Sequence, residues 1–204
     1  LFNRVNGEVF TESSDFNELF SQTSFSIGLA ELNGNSVESL DESIDLTQVK
    51  INEDPVHTTN IIDLGDQRVG YLMYTSFIDN KVNELNAVFS EFAAENITDL
   101  VLDLRYNSGG NISTAEDLSS MVTGQFNGEL FVTQEFNKNL DDQEILFDNK
   151  TSSGSGINSL NLNQVYVITT SSTASASELV ISALRPYIDV VQVGTTTTGK
   201  FQGS

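Results

Sequence analysis

The sequence predicts an α/β fold, and three apolar, strand-like runs carry that prediction. They are Leu100–Leu104, Val165–Thr169 and Val190–Val193, and their near-continuous apolar character is typical of strands that are covered on both faces. The second and third runs flank a helical run, Glu178–Leu184. A strand–helix–strand order indicates a right-handed crossover between parallel strands. We therefore expect all three runs to be interior strands of one sheet.

The remaining elements of this core are expected between residues 63 and 204, each from a local pattern. Apolar residues recur every three or four positions after Asp79, which indicates a helix with one buried face. In chain order we predict a strand at Arg68–Tyr74, a helix from Asp79 to about Glu95, a helix at Thr114–Val122 and a strand at Glu129–Phe136. Residues 137–162 are polar, so we expect a long excursion that is mobile or lies near a substrate cleft.

Residues 1–62 are rich in Asn, Ser and acidic side chains and are predicted to precede the core as a separate small domain. Asp15 is suited to cap a short helix that runs to Gln22. Strands are expected at Ser24–Leu32 and Leu46–Ile51. This order of elements resembles the later part of a PDZ-like domain, which is a peptide-binding module.

A serine and a lysine are predicted to meet at one edge of the sheet. Ser175 follows the second apolar strand, and Lys200 follows the third. Parallel strands end at the same edge, where open α/β sheets bind ligands, so the crossover returns both residues to one place. A serine becomes a nucleophile when a neighbouring base takes its proton, and a lysine is a base only when it is neutral. We interpret the pair as nucleophile and base; the alternative for Lys200 is a solvated surface lysine.

A glycine-containing turn follows the first apolar strand. Asn107–Gly110 lies beyond Leu104, and a helix is expected to follow it. Glycine tolerates the backbone angles that such a turn requires. The exposed N–H groups of a turn of this kind can bind an oxyanion. The alternative is a tight connection between a strand and a helix with no further role.

Three motifs, in this order, resemble the carboxyl-terminal processing (tail-specific) protease family. They are LVLDLRYNSGG, STASASE and GTTTTGK, and the resemblance covers roughly residues 63–204. It implies a ClpP/crotonase-like core and a serine endopeptidase that cleaves polypeptides near their C-termini, without a cofactor or metal ion. The resemblance assigns the nucleophile to Ser175, the base to Lys200 and the oxyanion-hole amides to Ala176 and to Gly109 or Gly110.

The match departs from the family pattern at its C-terminal end. Many members carry a glutamine four residues after the lysine, whereas this chain has Ser204 at that position and a glutamine at Gln202. Either side chain can hydrogen-bond an amine, so both are possible lysine-orienting residues. Because the family's core normally continues, we expect this core to be truncated at its C-terminus. The resemblance also implies a periplasmic, cell-envelope or secreted protein.

The composition limits the partners of the chain. Its 204 residues include 29 Asp and Glu against 9 Lys and Arg, for a formal net charge of −20. This charge argues against nucleic acid, whose phosphates require a basic surface, and against anionic membrane surfaces. No run approaches the roughly 18 apolar residues of a membrane helix. Without cysteine, disulfides and a thiol nucleophile are excluded.

Three alternatives to the Ser/Lys interpretation remain open. Gly194–Lys200 fits the G-x-x-x-x-G-K phosphate loop, although Phe201 stands where that motif needs a hydroxyl for magnesium. The same fold can also serve as a non-catalytic peptide- or ligand-binding module. A histidine-based mechanism would have to use His57, the only histidine, which lies in a linker-like stretch and is expected at the surface.

Overall fold

The computed structural model describes residues 1–10, 21–200 and 202, which belong to two compact units, Leu1–Glu53 and Asp54–Ser204. The sequence analysis placed the domain boundary after residue 62. The boundary falls earlier because the strand at residues 56–63 pairs within the second unit. The PDZ-like character of the first unit stays a prediction. The helix expected from Asp15 lies almost wholly outside the described residues.

The first unit contains an antiparallel sheet of four strands in the order β2-β1-β3-β4. Its strands are β1 (Phe2–Val5), β2 (Glu8–Val9), β3 (Ser24–Asn33) and β4 (Ser36–Thr47). The strand predicted at Leu46–Ile51 is wrong, since β4 ends at Thr47. Thr47 lies opposite Ser24, the first residue of β3, so the pairing of these two strands ends there.

The second unit is built on a five-stranded sheet in the order β11-β10-β7-β6-β5. All neighbouring strands are parallel except β5, which is antiparallel to β6. The strands of this unit are β5 (Val56–Asp63), β6 (Arg68–Tyr74), β7 (Asp99–Asp103), β8 (Leu130–Gln134), β9 (Gln143–Leu146), β10 (Gln164–Thr169) and β11 (Asp189–Gly194). The predicted α/β class and the parallel unit from β10 to β11 are confirmed.

Three helices contribute to the core of this unit: α1 (Val82–Ala94), α2 (Ile112–Thr123) and α3 (Ala176–Leu184). Alternate side chains of the central strands differ in burial. Leu102 and Val167 are fully buried in the core, whereas their chain neighbours Val101 and Tyr166 on the other face are partly exposed. The expectation that both faces are covered is therefore wrong for the described residues, because side chains of the second face are only partly buried. No helix in the described ranges is long and apolar enough to cross a membrane.

The strand β11 is not an interior strand, contrary to the prediction. Within the described part of the chain it pairs with β10 alone and forms one edge of the sheet. Its burial is correspondingly low, and the side chain of Val193 is 50% exposed. The apolar run predicted a strand correctly, but local pattern alone does not distinguish an edge position from an interior one.

The polar stretch 137–162 is more ordered than expected. It includes β9, which pairs antiparallel with β8 and was not predicted. The segment that follows is tied to the helices through buried carboxylates of α2. Glu116 accepts a hydrogen bond from the amide of Asp148 at 3.0 Å, and Asp117 accepts one from the amide of Ser152 at 2.8 Å.

Candidate active site

Ser175 occupies a sharp turn between β10 and α3. It is the residue immediately before the helix, with φ 56° and ψ −119°. Three other non-glycine residues in the described chain have positive φ, and all are asparagines, which adopt that region more readily than serine. A residue held in such a conformation costs about 1–3 kcal/mol and is frequent at functional sites. A strained turn between a strand and a helix is also how nucleophile elbows expose a serine at a sheet edge.

Hydrogen bonds attach the segment before Ser175 to the loop that follows β7. The hydroxyl of Thr173 donates to the carbonyl oxygen of Leu104 at 2.8 Å, and that of Thr170 donates to the carbonyl oxygen of Arg105 at 2.5 Å. The fully buried Asn107 accepts at its carbonyl oxygen from the amide of Ala174 at 3.2 Å. These contacts fix the serine turn against the glycine turn, as the shared sheet edge predicted.

Gly109 lies directly against the serine turn. Its φ is 109°, and a Cβ added to it would stand 2.7 Å from Ser175 Cβ and 2.9 Å from the backbone nitrogen of Ala176. Glycine is therefore required here for both its backbone angle and its lack of a side chain. The N–H of Gly109 donates to Asn107 Oδ1 at 2.9 Å, so this amide already has a partner.

Gly110 presents a free amide on the same turn. It forms a parallel bridge with Phe77, in which Phe77 N donates to the oxygen of Gly109 at 3.0 Å and Asn111 N donates to the oxygen of Phe77 at 2.8 Å. In this pattern the N–H of Gly110 itself points away from Phe77. Among the described residues it has no hydrogen-bond partner, and neither has the amide of Ala176, the first residue of α3. Gly110 follows Gly109, which packs against Ser175, and Ala176 follows Ser175 in the chain.

Lys200 is brought to the serine turn through its backbone. Its amide donates to Glu178 Oε2 at 2.9 Å, and Glu178 lies in the first turn of α3. The side chain is exposed, and in the described part of the chain its amine forms no hydrogen bond or ion pair. The hydrogen bond expected between Ser175 Oγ and Lys200 Nζ is therefore not formed in this structure.

Most amides of the loop between β11 and Lys200 already have acceptors within the chain, unlike those of a phosphate loop. Such a loop cradles phosphate oxygens with its backbone N–H groups. Here four of those groups have internal acceptors: Thr195 N donates to the oxygen of Thr169, Thr198 N to the oxygen of Thr173, and Gly199 N and Lys200 N to the carboxylate of Glu178. The geometry argues against the nucleotide-binding alternative.

The three further sequence candidates are His57, Gln202 and Ser204. His57 is exposed on β5, three strand spacings from β10, which is about 14 Å at the usual separation of strands. That distance is too long for it to accept the Ser175 proton directly. Gln202 is exposed, and Ser204 lies outside the described residues.

Arg105 and Glu178 were not predicted as site residues, and Asp103 was considered only as the magnesium-positioning acid of the phosphate-loop alternative. Asp103 is buried at the end of β7 and accepts from Arg105 Nη2 at 2.7 Å and from the Tyr71 hydroxyl at 2.6 Å. Burial alone would raise the pKa of Asp103, but the hydrogen bonds from Arg105 and Tyr71 outweigh burial and lower it. Glu178 accepts from three backbone amides. Its signal was the S-x-x-E spacing of a capping box from Ser175.

Comparisons with known proteins identify the relatives of this chain. Its sequence matches the protein family described as Peptidase family S41 over residues 68–204. It is 25% identical to a chloroplastic C-terminal processing peptidase of Tetradesmus obliquus over 78% of this chain and 34% of that protein. It is 26% identical to a "Probable CtpA-like serine protease" of Staphylococcus epidermidis over 74% of this chain and 29% of that protein. The chain thus spans about a third of the length of these relatives.

Solved structures share the same fold. A candidate S41 protease from Bacteroides fragilis is 27% identical with a TM-score of 0.68, and the match covers 98% of this chain and 54% of that one. The photosystem II D1 C-terminal processing protease is 22% identical with a TM-score of 0.58, covering 98% of this chain and 51% of that one. The fold likeness therefore extends over nearly all of the chain.

Proposed function

Because the chain belongs to peptidase family S41, we propose that it forms part of a serine endopeptidase in which Ser175 is the nucleophile and Lys200 the base. One observation carries the proposal. Ser175 stands in a strained turn at the C-terminal edge of a parallel sheet. Ala176, the next residue, and Gly110, which follows the glycine packed against Ser175, have amides without a hydrogen-bond partner among the described residues. A nucleophile next to paired N–H donors is the arrangement that acyl transfer requires.

In the proposed reaction, Lys200 takes the proton of the Ser175 hydroxyl as Oγ attacks the carbonyl carbon of the peptide bond. The amides of Gly110 and Ala176 hold the resulting oxyanion, and Gly109 is the poorer donor because Asn107 already occupies its amide. The protonated Lys200 then gives its proton to the leaving amine, which leaves an acyl group on Ser175. Lys200 then takes a proton from water as the water attacks the acyl group, and it returns that proton to Ser175 Oγ when the acyl group leaves. Lys200 reaches the hydroxyl by rotating its exposed side chain, a rearrangement expected when substrate fills the site.

The substrates we propose are unstructured polypeptides cleaved near their C-termini; the C-terminal preference follows the name of the Tetradesmus relative, a C-terminal processing peptidase. We also propose a periplasmic, cell-envelope or secreted location, which rests on the family resemblance alone. The competing function is a binding module on the same fold that does not cleave its ligand. The intact Ser175 and Lys200 favour cleavage over that alternative.

Mutation of the whole protein tests the proposal. Ser175→Ala and Lys200→Ala should each abolish cleavage of an unstructured peptide to a similar degree, because groups that act as one unit are not additive. A fluorophosphonate should label Ser175 in the unmodified protein. Activity should rise with pH, since only the neutral amine is a base.

His57→Ala is the control and should keep wild-type turnover. If His57→Ala lost turnover while Lys200→Ala kept it, the general base would be His57 and not Lys200. If the unmodified protein showed neither turnover nor labelling, it would be a binding module.

A further inference from the structure

One carboxylate joins the two loops of the proposed dyad. Glu178 Oε2 accepts from Ser175 N at 2.9 Å and from Lys200 N at 2.9 Å, and Glu178 Oε1 accepts from Gly199 N at 2.6 Å. The residues that would exchange the proton therefore share a single oxygen atom as backbone acceptor. We infer that Glu178 is a positioning residue that sets the distance between Ser175 and Lys200 by binding both of their backbones. This inference rests on the proposed function.

The contacts of Glu178 match a structural support rather than an ion pair with the lysine amine. Ser175, Gly199 and Lys200 all bind the carboxylate through backbone N–H groups, and none of the ion pairs among the described residues includes Lys200. An ion pair with the amine would favour its charged form and so oppose its role as a base. Support through the backbone leaves the amine free to move and to lose its proton.

The hydrogen bonds around Glu178 favour the ionised form of its carboxylate. Burial alone would raise the pKa of Glu178, but a hydrogen bond with the Thr197 side chain and the amides of Gly199, Ser175 and Lys200 together lower it. Hydrogen bonds to a charged acceptor are stronger than neutral ones, so the anion holds the loop more firmly than an amide would.

The loop that carries Lys200 has few other supports at this point. The hydroxyl of Thr198 donates to the oxygen of Ser171 at 2.8 Å, and Thr198 N donates to the oxygen of Thr173 at 3.0 Å. Beyond Thr198, the only hydrogen bonds described for Gly199 and Lys200 are the two to Glu178. Loss of the carboxylate therefore releases the lysine backbone while the preceding part of the loop stays attached.

The test is a double-mutant cycle on the rate at which a fluorophosphonate labels Ser175 in the whole protein. Lys200→Ala should slow labelling by about 10²–10⁴-fold, the usual contribution of a general base. Glu178→Gln should slow it by about 10²-fold, because a displacement of about 1 Å can cost that much. In the double variant, Glu178→Gln should cost much less than it does alone, because the part of its effect that acts through the distance between Ser175 and Lys200 is already lost. A further loss of similar size in the Lys200→Ala background would overturn the inference.

A second variant separates the position of the carboxylate from its charge. Glu178→Asp keeps a negative charge in the first turn of α3, where it stabilises the helix, but it is one methylene too short to reach both loops. We expect slow labelling in Glu178→Asp at a temperature where the unfolding curve shows that the variant is still folded. Wild-type labelling in this variant would mean that the charge acts on the helix alone. Glu91→Gln, which removes an exposed carboxylate from α1, is the matched control and should label normally.

The inference and the proposed function fail in different ways. If Lys200→Ala labels as fast as the unmodified protein, the dyad itself is wrong. If Lys200→Ala is slow and Glu178→Gln is fast, the dyad stands and the positioning role of Glu178 is overturned.

Discussion

At the scale of single residues, the most unusual feature of the described chain is the backbone conformation of Ser175. A positive φ brings Cβ close to the backbone, and serine gains less local compensation there than asparagine does. The turn is maintained by its neighbours: Gly109 packs against Ser175 Cβ, and Glu178 binds Ser175 N. Contacts that also position the proposed nucleophile therefore offset the free-energy cost of this backbone conformation.

The strain predicts a difference in stability between two substitutions at one position. Ser175→Gly should be more stable than Ser175→Ala by about 1–2 kcal/mol, because glycine adopts a positive φ without steric cost whereas alanine keeps the strain. Urea unfolding of both variants measures the difference. Equal stability, or a more stable alanine variant, would show that the turn is not strained. Neither variant has the hydroxyl, so any difference between them is independent of activity.

The residues of the candidate site were predictable from sequence to unequal degrees. Ser175 and Lys200 could be chosen because each follows a recognisable strand, and strand order then fixes the edge they share. The sequence could not distinguish Gly109 from Gly110 as the candidate oxyanion donor, because the difference depends on a side-chain contact from Asn107 and on a bridge to Phe77. The link from Glu178 to Lys200 spans a loop, so no local pattern encodes it.

At the scale of elements, α2 is unusual because its buried side includes carboxylates. Glu116 is 7% exposed and accepts from the Ser120 hydroxyl and from the amide of Asp148. Burial, with the nearby charges of Asp117 and Asp148, raises the pKa of Glu116 to about 7. The two acids of α2 thus hold the segment after β9, which a purely apolar helix could not do, since its amides need acceptors.

This burial predicts how stability depends on pH. The folded protein keeps the Glu116 proton up to about pH 7, whereas the unfolded chain loses it near 4.5, so the free energy of unfolding should fall as pH rises through that window. Glu116→Gln cannot ionise and still offers an oxygen to its donors. The fall between pH 5 and pH 8 should therefore be smaller in this variant, by about 2–3 kcal/mol at 1.36 kcal/mol per pKa unit.

Denaturant unfolding at several pH values measures the effect. Glu91→Gln, on the exposed side of α1, should keep the wild-type dependence. The same fall in Glu116→Gln as in the unmodified protein would mean that Glu116 is ionised in the fold at neutral pH.

The elements that sequence analysis missed share a physical cause. Twelve residues, Ser36–Thr47, form β4 with almost every side chain exposed, so no apolar alternation marks the strand. The hairpin partner β3 supplies the pairing, and that partner is recognisable only once the turn between them is placed. The edge position of β11 likewise depends on which strands pair, which a local pattern does not report.

At the scale of the whole molecule, acidic side chains greatly outnumber basic ones. The net charge of −20 is offset by few ion pairs in the described part of the chain, where the basic partners are Arg68, Lys81 and Arg105. Strand β4 alone exposes Glu38, Asp41, Glu42 and Asp45. Repulsion among like charges opposes the compact state, because folding brings them closer together than they are in the unfolded chain.

Salt should therefore stabilise this chain. Raising NaCl from 0.01 to 0.15 M shortens the screening length from about 30 to about 8 Å, which weakens repulsion between separated surface carboxylates. We expect the thermal midpoint at neutral pH to rise over this range, and to rise much less at an acidic pH where most carboxylates are protonated. Calorimetry at the two pH values provides the comparison. An unchanged or lower midpoint in salt at neutral pH would mean that the few ion pairs, which salt weakens, outweigh the repulsion of the remaining acids.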